Sequence, residues 1–372
     1  MYTEPLQRAT LYLERGLNSV FSQRYNPFYY HGALPNFFIW VLYLTGLLLF
    51  AYYVPTLAQA YDSVRYITQE LPFGNAFRTL HRYAADGMMI FVALHLARVW
   101  FTDRYREYRI IPWITGVVLL SITFIVGLSG YMMIWDQEAV TLTNMTVNFL
   151  KGLPLVGAGL AEFLLAGKII SDYTLTRLLF LHLVIPLGLM FFLWMHYIRI
   201  TRPVNVPPLP LVLMMLGGLF LFAGAWPVGL GQLPNLAAIS QNVDVDLLYA
   251  WPHFLLIQGL SPLGVWILVL GVPVGLLALP YIQKKALRGQ FAHVAEGNCT
   301  GCSLCYHDCP YEAITMVARD DNSRFKKLAT VDPGRCSNCG LCVGACAFKA
   351  IEIPRRDTAG VLAEIEASLA AV

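Results

Sequence analysis

Long apolar stretches bounded by polar residues fill the first three-quarters of the chain and then stop. Runs long enough to cross about 30 Å of hydrocarbon fall at Asn36–Val54, Asp86–Phe101, Trp113–Ile134, Leu178–Ile198, Pro210–Trp226 and Leu263–Ile282. The pattern predicts six spanning helices. The second run is short, but His81 and Arg82 extend its helix into the polar edge of a bundle. Between the third and fourth runs, Glu138–Lys168 is semi-apolar and holds Pro154, which predicts one or two short helices lying on the surface. Tyr2–Gln23 reads as a surface amphipathic helix, and the first 30 residues hold no apolar core ending in small residues, so no cleavable signal is expected.

Composition sharpens this picture. Hydrophobic residues make up 57% of the 372 and charged residues 13%, against about 45–50% and 25% in soluble domains. A polytopic membrane protein is expected. Of the 49 charged residues, 28 lie in residues 1–283 and 21 in the last 89, so the C-terminal part is a separate domain of soluble type. The net charge of +3 and the lack of a long basic run give no nucleic-acid footprint. The Lys/Arg bias of the short loops sets the orientation. Twelve basic residues (Arg8, Arg15, Arg24, Arg98, Arg104, Arg106, Arg109, Arg199, Arg202, Lys284, Lys285 and Arg288) fall on one side. Six (Arg65, Arg78, Arg82, Lys151, Lys168 and Arg177) fall on the other, mixed with acids such as Asp62, Glu70, Asp136 and Asp172. The N-terminus and the C-terminal domain are therefore expected on the cytoplasmic side of the membrane, where structural disulfides are disfavoured.

Four histidines carry the first chemistry. His81 and His95 are 14 residues apart on the second predicted helix, and His182 and His196 are 14 apart on the fourth. Fourteen residues advance a helix by about 21 Å in nearly four turns, so each pair shares a face with one member near each membrane surface. The two helices run oppositely, which sets His81 beside His182 on the outer side and His95 beside His196 on the inner side. Two facing imidazoles with a gap between them are what six-coordinate haem iron requires. One such histidine alone reads as a bundle-lining or proton-relay residue; two equal spacings point to haem. Gly32 and Gly46, and Gly116 and Gly130, repeat the 14-residue interval on the flanking helices and leave room for two flat macrocycles.

The residues around these histidines resemble the cytochrome b of the bc and chloroplast-type quinol complexes. The resemblance covers about Leu11–Thr201 and rests on Tyr52–Thr56, Phe73–Gly74, Arg78–His81, His95–Arg98, Pro112–Gly116 and Thr174–Arg177. It implies a mainly α fold with a di-haem four-helix core and two haem b, on His81/His182 and His95/His196. It further implies Arg78 and Arg177 near the outer haem propionates, and Arg98 and Arg109 near the inner ones. Membrane quinone as substrate and Rieske or cytochrome c-type partner subunits follow from the same resemblance. Two departures stand out. Phe28-Tyr29-Tyr30-His31-Gly32 has no cysteine where chloroplast-type relatives tether an extra haem, and it sets His31 near the inner haem as a quinone or proton-relay candidate. In place of the relatives' Pro-Glu-Trp-Tyr, the chain reads Val245–Pro252, so either Asp244, Asp246 or His253 is the candidate proton acceptor of an outer quinol site, or that site is lost.

All eight cysteines lie between Cys299 and Cys346. Cys299-x2-Cys302-x2-Cys305-x3-Cys309-Pro310 recurs 37 residues later as Cys336-x2-Cys339-x2-Cys342-x3-Cys346, and Ala313-Ile314 recurs as Ala350-Ile351. This is a duplicated half-domain, each half a cluster loop followed by a short helix and strand. The run is the bacterial ferredoxin pattern, in which the fourth cysteine serves the other cluster. Paired Cys-x2-Cys also suits zinc, but two four-cysteine runs favour iron and sulfur. Residues 291–356 resemble the two-[4Fe-4S] ferredoxins, a small α+β fold. That implies one cluster on Cys299, Cys302, Cys305 and Cys346, and another on Cys336, Cys339, Cys342 and Cys309.

The expected organisation is a di-haem transmembrane domain over 1–205, two further transmembrane helices in 206–286, a ferredoxin domain over 287–356 and a tail helix over 357–372. About fifteen residues separate Lys284 from Cys299, a tether of about 20 Å if flexible, which keeps the clusters near the inner haem. The combined reading is the cytochrome b subunit of a quinone oxidoreductase complex, coupling quinone through two haems and the clusters to a cytoplasmic ferredoxin or dehydrogenase subunit. The rival reading is a passive electron wire without its own quinone site. No Gly-x-Ser-x-Gly, phosphate loop or dinucleotide fingerprint supports hydrolytic or nucleotide chemistry.

Overall fold

The computed structural model describes residues 4–101, 105, 109–200, 204–237, 246–282, 291–309, 311–321, 323–336 and 340–353. Asp244, Cys339 and the expected tail helix lie outside the described residues.

The membrane part runs through α1 (Glu4–Tyr25), α2 (Pro27–Tyr30), α3 (Leu34–Phe50), α4 (Ala60–Gln69), α5 (Gly74–Phe101) and α6 (Ile110–Met133). It continues through α7 (Gln137–Lys151), α8 (Gly157–Leu165), α9 (Asp172–Ile198), α10 (Leu209–Ala225), α11 (Trp251–Ile257) and α12 (Pro262–Ile282). The six expected spans correspond to α3, α5, α6, α9, α10 and α12. Four of these are long and apolar enough to cross a membrane, and α3 and α10 have 17 residues each, near the lower limit for a crossing.

At 28 residues, α5 is about 42 Å long, more than the hydrocarbon is thick. Its polar first turns, with Asn75, Arg78, His81 and Arg82, therefore extend past the apolar run that the sequence pattern detects. On α9 a capping box fixes the start, with the Ser171 amide donating to Thr174 Oγ1 at 3.0 Å; capping of this kind satisfies amides that have no partner within the helix.

The core is two helix pairs, α3 against α5 and α6 against α9. On their outside, α10 packs on α5, and α12 packs on α6 through a Trp113 Nε1–H bond to the Leu276 carbonyl at 2.7 Å. Two expectations need correction. Gly32 lies in the turn between α2 and α3 rather than on the first helix. The segment expected on the surface folds as α7 and α8, but α7 is buried along Ala139–Thr143 and at Thr146, Val147 and Phe149. Its apolar residues form one cluster with Trp135, Leu175 and Leu178, because the loop preceding α11 folds over it: Asp136 caps α7 at the Ala139 amide (2.9 Å) and also accepts from the Gly231 amide (3.1 Å).

The C-terminal domain holds β1 (His293–Val294), α13 (Leu304–Asp308), β2 (Ile314–Ala318), β3 (Lys327–Val331), α14 (Leu341–Ala345) and β4 (Ile351–Glu352). Strands β2 and β3 pair antiparallel with Ile314 opposite Val331, and β1 pairs antiparallel with β4. The short helices lie inside the cysteine runs rather than after them, since Cys305 is on α13 and Cys342 is on α14. Cys299, Cys305 and Cys342 share a core with Ile314, Val343 and Ile351.

Candidate cofactor sites

The four histidines meet as two facing pairs. Ring centroids are 6.4 Å apart for His81 and His182, and 6.4 Å apart for His95 and His196. Two metal–imidazole bonds of about 2.0–2.1 Å laid end to end, with a ring radius added on each side, span about that distance. Each pair therefore fits two axial ligands of one iron, as haem b requires.

Three of the four imidazoles are oriented by hydroxyl groups. Thr45 gives its own proton to the Val41 carbonyl (2.7 Å), so its oxygen accepts from His81 Nδ1 at 2.9 Å. Thr115 likewise donates to the Ile111 carbonyl (3.0 Å) and accepts from His196 Nδ1 at 2.9 Å. His182 Nδ1 lies 3.1 Å from both Ser129 Oγ and the Val126 carbonyl, and a carbonyl can only accept. All three rings therefore carry the proton on Nδ1 and present the Nε2 lone pair to the gap, the arrangement by which outer partners fix a ligand's tautomer. Each hydroxyl residue directly precedes one of the paired glycines, and at the fourth such position His31 stands beside Gly32. The His31 ring meets that of His95 edge-on, with centroids 5.4 Å apart.

The glycines clear space for these rings. A Cβ on Gly130 would lie 2.7 Å from His182 Cε1, on Gly32 3.0 Å from His95 Cε1, and on Gly46 3.1 Å from His81 Cε1. On Gly116 it would sit 3.5 Å from His196, an ordinary contact.

Between the His81/His182 helices is a cavity of about 340 Å³, lined by both imidazoles, Gly46, Gly130, Arg78, Arg82, Tyr131 and Tyr249. The buried Arg78 reaches Thr68 Oγ1 at 3.2 Å and the Val228 carbonyl at 3.3 Å, and its place on the cavity wall suits an anionic haem edge. Arg177 turns away to the Phe163 carbonyl and ring. At the other end, the buried Arg98 lies 5.8 Å from the centroid of the Tyr29 ring. Arg109 donates to the Tyr311 carbonyl at 3.3 Å, which joins the cysteine domain to the His95/His196 end of the bundle.

Of the candidate proton acceptors, Asp246 is in an ion pair with Arg82, which also pairs with Asp86 on its own helix. The sequence pattern marked Arg82 as a polar-edge residue of this helix and Asp86 as the start of an apolar run, but not the ion pair between them, although a carboxylate facing a membrane bundle is a signal for function. Tyr249 anchors the same segment through a 2.7 Å hydrogen bond from its hydroxyl to the Ala85 carbonyl, its ring packed where Gly127 has no side chain. His253 is 1% exposed. Thr146 donates to the Leu142 carbonyl (2.8 Å), so it accepts from His253 Nε2–H (2.8 Å). His253 Nδ1 is then a lone pair with no hydrogen-bond partner among the described residues. Burial pushes this imidazole down to about 4, so it is neutral at physiological pH.

In the cysteine domain the amides of Ala313, Ala350 and Ala292 donate to the Sγ atoms of Cys309 (3.4 Å), Cys346 (3.3 Å) and Cys336 (3.5 Å). Burial, with the neighbouring Cys299, Cys302 and Cys346, pushes the Cys305 thiol up to about 11. Those four thiols share one electrostatic neighbourhood, the set in which the fourth cysteine comes from the other run.

Similar proteins agree with both halves. The family described as Cytochrome b/b6/petB matches residues 17–203, and the 4Fe-4S dicluster domain matches residues 298–350. Cytochrome b6 of Synechococcus elongatus is 34% identical over 178 residues, which is 48% of this chain and 83% of that protein. Cytochrome b6 of Prochlorococcus marinus (strain MIT 9515) is also 34% identical over 178 residues, covering 82% of its length. Among solved structures, a chain of a hyperthermophilic respiratory Complex III shares the fold with a TM-score of 0.59 at 22% identity, over 69% of this chain and 76% of its own length.

Proposed function

The chain belongs to the cytochrome b/b6 family, and on that premise we propose that it moves electrons between a membrane quinone pool and a soluble low-potential carrier, through two haem b and two [4Fe-4S] clusters. Haem b and the clusters, when bound, supply one-electron storage whose potential depends on ligands, hydrogen bonds and burial. The observation that carries the reading is the Arg109–Tyr311 hydrogen bond at the His95/His196 end. It supports a route between the cysteine domain and the His95/His196 pair, with the His81/His182 pair reached only across the bundle. By the positive-inside count, the His95/His196 end and the cysteine domain face the cytoplasm.

The residues divide the work. Thr45, Thr115 and Ser129 hold three imidazoles in the ligating tautomer, and Arg78 and Arg98 offer positive charge to anionic haem edges. In an outer quinol site, His253 Nδ1 accepts the hydroxyl proton, since the Asp246 carboxylate is already held in an ion pair with Arg82. His31 serves an inner quinone site as hydrogen-bond donor or proton relay beside His95. Membership of a multi-subunit quinol oxidoreductase, with Rieske or cytochrome c-type partners, belongs to the same proposal.

Rapid mixing of the oxidised, purified protein in nanodiscs with reduced ferredoxin tests this. The haem of the His95/His196 pair should reduce before the other, and added quinone should reoxidise both. Simultaneous reduction, or indifference to quinone, rejects the route or the quinone site respectively; the second result would leave a passive wire.

A further inference from the structure

The halves of the cysteine domain are near copies in conformation as well as in sequence. Glu312 and Lys349, 37 residues apart, take φ of 51° and 52°, and Ser303 and Gly340 take 66° and 87°. Equivalent amides, of Ala313 and Ala350, donate to equivalent sulfurs. In so regular a repeat, a difference between equivalent residues reports on surroundings outside the repeat.

Tyr311 and Phe348 differ in this way. Each lies two residues past the fourth cysteine of its run. Tyr311 is 3% exposed and its carbonyl accepts from Arg109 of the membrane bundle; Phe348 is 52% exposed. One edge of the pseudo-symmetric domain is thus engaged by the membrane bundle, while at the matching edge Phe348 is exposed among the described residues. The matching edge adjoins Cys346, whose thiol shares a neighbourhood with Cys299, Cys302 and Cys305. Within that set Cys302 is exposed, and Leu304 beside it is 49% exposed. Cationic side chains flank the edge: Lys349 follows Phe348, and the exposed Lys327 packs its backbone against the Gly301 turn. Asp308, on α13, is an acidic neighbour.

We propose that the Phe348 edge, with Leu304 and Cys302, is the docking surface for a small acidic one-electron carrier protein, and that the Tyr311 edge is the fixed junction with the membrane bundle. An apolar centre with a charged rim suits a transient protein contact, and the lysines steer an acidic partner. An exposed thiolate ligand brings the docked carrier close to the redox centre. One electron leaves the carrier, which is oxidised by one equivalent, and enters the centre framed by Cys299, Cys302, Cys305 and Cys346; no bond or proton is exchanged. The inference rests on the function proposed above and adds where the carrier binds and which cysteine set it meets.

The test uses the full-length holoprotein in nanodiscs and two reductants, an acidic ferredoxin and methyl viologen, with cluster bleaching followed by stopped flow and carrier binding by surface plasmon resonance. Phe348→Glu should weaken ferredoxin binding and its second-order reduction of the clusters at least tenfold, leaving the methyl viologen rate and the cluster EPR spectrum unchanged. Should Phe348→Glu alter that spectrum, the surface variant Lys349→Glu decides, with an expected severalfold loss for ferredoxin at low salt that disappears at high salt. Unchanged ferredoxin binding in both variants overturns the docking surface. Failure of viologen-reduced clusters to reduce haem would instead reject the proposed function and leave the docking result standing.

Discussion

The two ends of the four-helix core hold the same pair of imidazoles at the same separation, yet they are closed in different ways. The His81/His182 end is covered by the chain's own short helices. There, α7 is buried, Arg82 ties Asp246 to α5, and Tyr249 packs on Gly127. The His95/His196 end is met by α2 with its following turn, and by the cysteine domain through Arg109. One end is sealed by buried side chains and the other is left as a junction. On the proposed function, the first kind of closure would exclude water around a reacting quinol, and the second would admit electrons from outside the membrane.

Removing a ligand breaks the comparison most severely. His182→Leu should drop haem content from two per chain to one and spare the His95/His196 centre, and His95→Leu should do the reverse, as read by pyridine haemochrome assay and low-temperature optical spectra. If either change removes both haems, the ends are not independent. Next in size, Gly130→Ala should cost the His182 centre, because its Cβ would come within 2.7 Å of the ring, whereas Gly116→Ala, at 3.5 Å, should retain both haems. Equal tolerance at the two positions would remove the steric asymmetry.

Arg82→Gln leaves the carboxylates of Asp86 and Asp246 unpaired. A loss of about 2–3 kcal/mol is expected in chemical unfolding, less than a fully buried pair costs, since 28% of the Arg82 side chain remains exposed. An effect of comparable total size, spread over more than two pH units, is expected from His253. His253 is held near 4 when folded, well below its ordinary value, so the unfolded chain binds the extra proton between that pH and about 6.5. Stability should therefore fall by at most about 1.4 kcal/mol per unit as pH drops through that window and level off below it. His253→Gln should flatten the slope, and an unchanged slope would mean that the imidazole is not buried neutral.

Much of this was legible in the sequence because spacing on a helix is a rigid ruler. Fourteen residues fix both face and depth, so the histidine pairs follow from counting, and the apolar helices, four of them long enough to cross a membrane, follow from run length. The cysteine runs were legible because the repeat is written twice. What counting missed depends on contacts between segments distant in sequence. Thr45, Thr115 and Ser129 look like ordinary helix hydroxyls until α5 and α9 lie alongside, although their place before each paired glycine was a usable sign. The burial of α7 comes from the loop around Gly231 folding onto Asp136, which no periodicity within residues 137–151 encodes. Asp246 read as a free base because its partner, Arg82, is 164 positions away.

The bundle's strongest packing is within α3–α5 and within α6–α9, while α5 and α9, which carry the four paired histidines, barely touch each other. The two helix pairs are joined instead through α3 and α6, by the Tyr43 hydroxyl donating to the Pro186 carbonyl at 2.9 Å and by Tyr249 lodged between Ala85 and Gly127. A ligand bound by one imidazole from each side is then a rivet as well as an electron store, and ligand binding adds to stability in proportion to the logarithm of its concentration over its dissociation constant. Two rivets about 21 Å apart along the bundle resist both hinging and sliding of one pair past the other. Loss of one cofactor should then loosen the bundle at its own end and leave the other end held.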